Sequence, residues 1–236
     1  MKIFRVFLYI LIAVVMVNFS CGDNSSIVSG DSNDPTDGTT GATPDTGGFY
    51  PAEDGPIRSM FGEPEFDADT LQLRISGLVD SAFALTWTDI QKHSSVTTDT
   101  MIMYCVEGWE VWGVWKGIRV QDLLQQAGLH PNAAYLNFEC VDGFKSVISL
   151  SYAQKYDAML AYEVNGKLLQ NHDGFPLRLI AFGKYGYKWA KWVNKIYVLS
   201  FNQVAAWPSD EWLDAGDVPV ERRRPYEGED VEPLEY

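Results

Sequence analysis

The sequence predicts an α+β domain made mainly of antiparallel and mixed β-structure with short helices between the strands. Short apolar or alternating runs recur along the chain, and two pairs of them meet at hairpin turns, at residues 141–143 and 165–166. Strands do not alternate regularly with long helices, and the chain has no internal repeat and no phosphate-loop motif. A parallel sheet of βαβ units is therefore not expected.

The first half of the domain contains two strands and two helices. Residues 71–79 alternate apolar and polar side chains, as a half-buried strand does. Residues 86–93 form a short helical turn with Thr86 or Thr88 as its cap, and residues 100–106 form a fully apolar strand. Residues 120–128 carry apolar side chains at helical spacing and end at a glycine, which predicts an amphipathic helix.

The second half adds two hairpins and two strands. The segments 134–140 and 144–150 flank the first turn, and Ser151 opens a short helix after them. The segments 158–164 and 167–169 flank an Asn-Gly turn, which favours a tight hairpin. Two further strands follow, at residues 175–182 and 192–201.

The formal net charge of −14 lies in the two flanks of the chain. Residues 22–56 hold seven acidic and no basic side chains, and residues 208–236 hold ten acidic side chains against three arginines. Residues 57–207 are nearly neutral, with 15 acidic and 13 basic side chains. The acidity therefore does not describe a ligand, and no nucleic-acid partner is predicted.

The first 20 residues have the features of an export signal. Lys2 and Arg5 precede an apolar stretch of signal-peptide length that is short for a spanning helix. Cys21 follows directly, which resembles a bacterial lipoprotein signal, although Asn18 stands where such signals usually carry leucine. The prediction is a domain outside the cytoplasm, periplasmic or at the cell surface, anchored to a membrane by a lipid on Cys21. An uncleaved anchor, or a cleaved signal followed by an incidental cysteine, remains the alternative.

Composition divides the rest of the chain into three parts. Residues 21–56 are rich in Gly, Ser, Thr, Asp and Pro, which predicts a disordered tether. Residues 57–207 form the folded domain. Residues 208–236 form an acidic tail that wraps the surface or frays.

Three features of the domain suggest chemistry. Cys105 ends an apolar run and precedes three tryptophans, where a thiol is ordinarily a small buried hydrophobe. Cys105 and Cys140 could also pair as a disulfide in an exported domain. The loop 171–178 brings His172, Asp173 and Arg178 together, unless it is an ordinary turn.

The third feature is a cluster of basic residues. Five of the 13 basic side chains of the domain fall within 18 positions that contain no acidic residue: Arg178, Lys184, Lys188, Lys191 and Lys195. Such clustering indicates an anion site, phosphate in particular. The alternative is a solvated strand edge protected by lysines.

Together these segments resemble the molybdopterin-binding domain of the sulfite oxidase family. "YCVEGW" looks like its molybdenum-cysteine segment, and "NHDGFPLRLIAFGKYGYKWAKWV" looks like its pterin-phosphate segment. The resemblance covers residues 71–201 and is closest to small bacterial members, similar to the catalytic subunit of periplasmic methionine-sulfoxide reductase. It implies a sulfite-oxidase-like molybdopterin-binding fold and a molybdenum-molybdopterin cofactor.

The resemblance also implies roles for individual residues. Cys105 falls on the thiolate that ligates molybdenum, and Tyr104 and Glu107 are placed near the opening, where Glu107 could manage a proton. The remaining positions fall on cofactor contacts: Cys140, His172, Asp173, Arg178, Lys188 and Lys191. Tyr50 and Arg58 are the candidates for the N-terminal pterin contacts. A thiol bonded to such a cation is deprotonated, which would explain why Cys105 stays reduced.

The function expected from this resemblance is a two-electron oxygen-atom transfer on a small sulfur-containing substrate, either sulfoxide-like or sulfite-like. The sequence contains no C-x-x-C-H haem motif, so we expect a separate electron-transfer partner, haem- or quinone-linked. The leader also lacks an Arg-Arg pair, the mark of the export route for folded, cofactor-loaded proteins. The alternative is therefore a cofactor-free surface lipoprotein of the same fold that acts as a binding module.

Overall fold

The computed structural model describes residues 48–203, 216–219 and 222–223, all of which belong to the compact unit formed by residues 42–236. Over these residues the chain forms two β-sheets and three short α-helices. The predicted leader, Cys21 and most of the predicted tether lie outside the described residues. The described helices are all too short to cross a membrane.

The first sheet has six strands: β1 (Phe49–Pro51), β4 (Val96–Tyr104), β5 (Glu110–Arg119), β8 (Met159–Val164), β9 (Lys167–Leu168) and β10 (Arg178–Ile180). Strand β5 is its centre, because it pairs with β4 along nearly its whole length, with β8 antiparallel and with β1 parallel. Strand β8 in turn pairs with β9 and β10.

The second sheet has five strands: β2 (Leu73–Gly77), β3 (Phe83–Leu85), β6 (Tyr135–Cys140), β7 (Lys145–Ser149) and β11 (Val193–Leu199). Their order is β3-β2-β11-β6-β7, and only the β2–β11 pair among them is parallel. The expected mixed and mainly antiparallel α+β fold is therefore confirmed. One continuous apolar core contains residues of both sheets and of the helices.

The three helices are α1 (Trp87–Gln91), α2 (Val120–Ala127) and α3 (Leu150–Lys155). The side chain of Thr86 caps α1 by accepting a hydrogen bond from the Asp89 N–H, and Asp89 accepts one from the Thr86 N–H in return. Helix α2 ends at Gly128, as its pattern predicted. The cap of α3 is Ser149, two residues before the expected Ser151, because its hydroxyl accepts from the Tyr152 N–H.

Strand β5 was absent from the sequence prediction. Its glycines lower the strand propensity of the segment, but they are required by packing. A Cβ atom at Gly117 would lie 2.0 Å from the backbone oxygen of Leu160, and one at Gly113 would lie 2.6 Å from a methyl group of Val164. The close approach of β8 thus requires glycines in β5, and these glycines explain why no strand was predicted there.

The predicted domain boundary at residue 57 needs correction. Strand β1 pairs with β5, and Phe49 stacks on Trp112 with 6.4 Å between ring centroids, so the ordered domain starts before the expected end of the tether. A three-residue strand whose partner lies 61 positions away leaves no local pattern in a polar segment. In the predicted tail, Val218 is buried and Asp217 pairs with Lys184 at 2.6 Å, so this part is packed on the domain.

Candidate active site

Five segments enclose a pocket of about 240 Å³. They are residues 55–60 after β1, the loop 105–109 after β4, the β6–β7 turn, the loop before β10, and residues 186–192 before β11. Cys105, Arg178 and Lys191 line this one pocket, although 73 and 86 positions separate the cysteine from the two cations. Strand ends and connecting loops of both sheets therefore build the site.

Cys105 lies directly after β4, in a tight turn. Its carbonyl accepts from the Gly108 N–H at 3.1 Å, its own N–H donates to Trp109, and Gly108 adopts a left-handed φ of 96°. The Glu107 N–H donates to the sulfur at 3.5 Å. Burial raises the pKa of the Cys105 thiol, so an isolated thiol stays protonated here and a thiolate requires a cationic partner. A metal ion is such a partner.

Arg178 is buried on β10 with incomplete hydrogen bonding. Nη1 donates to the Asp173 carbonyl at 3.0 Å, Nη2 contacts the Met103 sulfur at 3.1 Å, and the guanidinium carbon lies 5.5 Å from the Trp115 ring centroid. The Nε atom has no partner among the described residues. Burial lowers the pKa of Arg178 to about 10. A buried cation with an unused donor is suited to an anionic ligand.

Lys191 is the second cation of the pocket. Its Nζ donates to the carbonyl of Arg58 at 2.7 Å and to that of His172 at 2.6 Å. Burial, and then the nearby charge of Arg178, lower the pKa of Lys191 to about 7. Two cations close together with mainly neutral acceptors form a site that a phosphate group would complete, so these residues fit the phosphate end of a molybdopterin.

The loop 171–174 contributes mainly backbone groups. Asp173 lines the pocket and its carbonyl accepts from Arg178. His172 contributes its carbonyl to Lys191, while its ring Nε2 lies 3.5 Å from an Asp173 carboxylate oxygen. Gly174 adopts a φ of 110°, and a Cβ atom added to it would lie 3.1 Å from the Cβ of Lys191. A glycine is thus needed where this loop touches the lysine.

The basic cluster is not a single anion site. Lys188 is 2% exposed and its Nζ donates to the Val147 carbonyl, outside the pocket lining. Lys184 pairs with Asp217, and Lys195 pairs with Glu139 at 3.2 Å. Lys188 was predicted as a cofactor contact. In the structure its neighbours 186, 187 and 189–192 line the pocket, whereas its own side chain packs on β7.

Cys140 was predicted to contact the cofactor, but the turn after it, rather than Cys140 itself, reaches the pocket. Cys140 is buried at the end of β6, does not line the pocket, and is a free thiol, as is Cys105. Asp142 and Phe144, in the turn that follows, line the pocket instead. Burial raises the pKa of the Asp142 carboxyl. Neither residue was predicted at the site: the sequence predicted the turn at 141–143, but no local pattern showed that this turn reaches the pocket.

Tyr104 and Glu107 were both expected at the opening. Tyr104 is 1% exposed and does not line the pocket; Met103 does, and neighbouring residues of a strand point to opposite faces of the sheet. Glu107 lines the pocket and forms an ion pair with Arg58 at 2.7 Å. Hydrogen bonds from Arg58 and from Trp109 lower the pKa of Glu107, which makes it an anionic partner rather than a proton donor.

Of the two N-terminal candidates, Arg58 lines the pocket and Tyr50 does not. Tyr50 is partly buried against the apolar core. The segment of Arg58 also brings Pro56, Ile57 and Met60 to the pocket, which the sequence analysis did not assign.

This fold is that of an oxidoreductase domain that binds molybdopterin. The family model described as "Oxidoreductase molybdopterin binding domain" matches residues 60–207, and the chain belongs to that family. The expected molybdenum-molybdopterin cofactor and oxidoreductase class are thereby confirmed.

Individual relatives agree with this assignment. A protein of Azospira oryzae provisionally named protein-methionine-sulfoxide reductase subunit YedZ1 is 30% identical over 165 residues, which cover 68% of this chain and 60% of that protein. Mitochondrial sulfite oxidase of Rattus norvegicus is 27% identical over 194 residues, covering 66% of this chain and 35% of the oxidase. The chain thus spans about half the length of these relatives.

A solved structure supports the fold. The sulfane dehydrogenase SoxCD of Paracoccus pantotrophus superposes with a TM-score of 0.58 at 24% identity, over 64% of this chain and 42% of that chain. At this identity the comparison concerns the fold alone.

Proposed function

We propose that this chain is an extracytoplasmic molybdenum oxidoreductase that reduces or oxidises a small sulfur-containing substrate by two-electron oxygen-atom transfer, with Cys105 as the protein ligand of the metal. The observation that carries the proposal is the shared pocket of the Cys105 sulfur, Arg178 and Lys191. It supports one ligand with a soft metal at one end and an anionic group at the other.

When bound, the molybdenum-molybdopterin supplies the oxygen-atom transfer and the two-electron redox change. The chain supplies the rest. The turn 105–109 fixes the sulfur, Arg178 and Lys191 neutralise the phosphate, and Asp173 and the backbone of residues 186–192 shape the space between them. The apolar side chains of Trp109, Val106 and Met60 line the same pocket as the Cys105 sulfur.

In the reducing direction, the S=O bond of a sulfoxide breaks, and two electrons and two protons yield a sulfide and water. In the oxidising direction, a sulfite-like substrate gains an oxygen atom from water and releases two electrons and two protons. The domain has no haem motif of its own, so the electrons pass to or from a separate haem- or quinone-linked partner. The relative named as a subunit of a reductase supports such a division of labour.

The proposed location rests on residues outside the described structure. A lipid on Cys21 would hold the domain on the outer side of a membrane, with residues 22–47 as the tether. Mass spectrometry of the membrane-extracted protein tests this directly, because a diacylglyceryl group on an N-terminal Cys21 changes the mass of the chain, and a mature chain that begins elsewhere would contradict it.

The function is tested on protein purified from its native host compartment. We expect about one molybdenum per chain and turnover of dimethyl sulfoxide or sulfite with an artificial redox dye. The Cys105→Ser variant should lose turnover while keeping its fold, and Cys140→Ser is the matched control because Cys140 lies outside the pocket. A protein without molybdenum, or a Cys105→Ser variant with unaltered turnover, would refute the proposal.

A further inference from the structure

The mouth of the pocket carries one cation beside Cys105, and this cation is already paired. Arg58 Nη2 lies 2.7 Å from the Glu107 carboxylate, and Arg58 Nε donates to both carboxylate oxygens at 2.9 and 3.1 Å. Trp109 Nε1 donates to the same carboxylate at 2.8 Å. The Arg58–Glu107 pair is therefore a defined unit, two residues from the proposed metal ligand.

Contacts on both sides fix the position of this pair. The Arg58 carbonyl accepts from Lys191 Nζ, and its guanidinium carbon lies 5.9 Å from the Trp109 ring centroid. The Glu107 N–H donates to the Cys105 sulfur. The pair is thus connected both to the sulfur and to the phosphate end of the pocket, and its geometry relative to the sulfur is set by the protein.

The guanidinium keeps donors for a ligand. Of its five N–H groups, the one on Nε and one of the two on Nη2 donate to Glu107, and one of the two on Nη1 donates to the Ile57 carbonyl. Within the described part of the chain, one N–H on Nη1 and one on Nη2 have no acceptor. The side chain is 47% exposed, so a molecule entering the pocket can reach these donors.

The net charge at the mouth of the pocket, where Arg58 and Glu107 lie, determines which class of molecule can bind there. Glu107 cancels the charge of Arg58, and the other cations that line the pocket in the described structure, Arg178 and Lys191, are assigned to the cofactor phosphate. An oxyanion at the sulfur end therefore meets the Glu107 carboxylate as well as Arg58. An uncharged oxide needs only the donors, and the apolar side chains of Ile57, Met60 and Val106 line the same pocket.

We propose that Glu107 is a specificity-determining residue: by neutralising Arg58, it selects uncharged S-oxides over oxyanions, while Arg58 donates to the oxide oxygen. This inference rests on the proposed function. In Glu107→Gln the amide oxygen, placed at Oε2, still accepts from Arg58 Nη2 and Trp109 Nε1, whereas the contact of Arg58 Nε with Oε1 is lost. The substitution removes the negative charge at nearly the same volume, so it converts the mouth from neutral to cationic.

The test measures anion binding and turnover on the molybdenum-loaded, membrane-extracted protein. Isothermal titration with sodium sulfate at constant ionic strength should show that Glu107→Gln binds sulfate on the order of tenfold more tightly than the wild type. Arg58→Gln should bind it more weakly, and should lower kcat/KM for dimethyl sulfoxide by about tenfold or more. Glu163→Gln is the matched control, because it makes the same charge change in an ion pair with Lys116 outside the pocket.

Each outcome separates the two claims. Sulfate binding that is unchanged in Glu107→Gln, or raised equally in Glu163→Gln, would overturn the specificity role while the loaded wild type still turns over. If Glu107→Gln does not fold, Arg58→Gln still decides, because unchanged sulfate affinity and unchanged kcat/KM in that variant would equally overturn it. Absence of molybdenum from the wild type would overturn the proposed function and this inference with it.

Discussion

Lys191 makes the stability of the cofactor-free domain depend on pH in a predictable direction. Burial and Arg178 lower its pKa from 10.5 to about 7. Between these two pKa values the unfolded chain binds more protons at this residue than the folded chain does, so stability rises with pH across that window. The folded state is least stable below pH ~7, where Lys191 is a buried ammonium ion.

The magnitude follows from the two pKa values. A shift of this size makes the free energy of unfolding larger by about 2 kcal/mol at pH ~9 than at pH ~7. Burial also raises the pKa values of the Cys105 and Cys140 thiols, so their titration lowers the free energy of unfolding as the pH rises above the ordinary thiol pKa of 9.0. The comparison therefore ends at pH ~9.

Urea unfolding of cofactor-free protein at a series of pH values measures this difference. We expect Lys191→Met to remove most of it, because the titrating group is gone. The cofactor-loaded wild type should also lose it, since a phosphate beside Lys191 restores the ordinary pKa. The same pH dependence of stability in the wild type and in Lys191→Met would show that Lys191 is not the group that titrates.

Three further predictions concern other parts of the molecule. Arg178→Met should lower the molybdenum content of the purified protein by about tenfold or more, because the phosphate loses a buried guanidinium; a content equal to that of the wild type would contradict its role. Gly117→Ala should destabilise the domain to thermal unfolding by about 2 kcal/mol or more, because the added Cβ meets the Leu160 oxygen; an unchanged melting temperature would show that β8 can move. Asp217→Ala should cost more in urea unfolding than Glu139→Ala, because the Lys184–Asp217 pair is buried whereas the Lys195–Glu139 pair is partly exposed and should contribute about 1 kcal/mol or less; equal costs would contradict the difference.

The sequence contained enough information for most of the regular elements. The alternation in β2, the amphipathic spacing of α2 and the two hairpin turns each depend on neighbours in the chain, and the structure has them close to the predicted positions. Three strands were not predicted: β1, β3 and β5. Long-range pairing produces β1 and β5, which explains why they were missed. Phe49–Pro51 is a strand only beside Glu110–Trp112, and the glycines of β5 reflect the approach of β8.

The site was predicted unevenly for a related reason. Cys105, Asp173, Arg178 and Lys191 lie in local motifs, and the structure places all four in one pocket. Clustering in sequence did not distinguish Lys191 from Lys188, because their side chains leave the 186–192 segment in different directions.

Two other parts of the site had no local signal. Asp142 belongs to it because the β6–β7 turn reaches the pocket that residues 186–192 also line. The pairing of Arg58 with Glu107 joins residues 49 positions apart. Neither relation can be read from a local pattern.

X-ray absorption at the molybdenum edge measures the proposed bond between the Cys105 sulfur and molybdenum most directly. The loaded Cys105→Ser variant should show one sulfur neighbour fewer than the loaded wild type, while Cys140→Ser should show no change. The same number of sulfur neighbours in Cys105→Ser and in the wild type would contradict that bond.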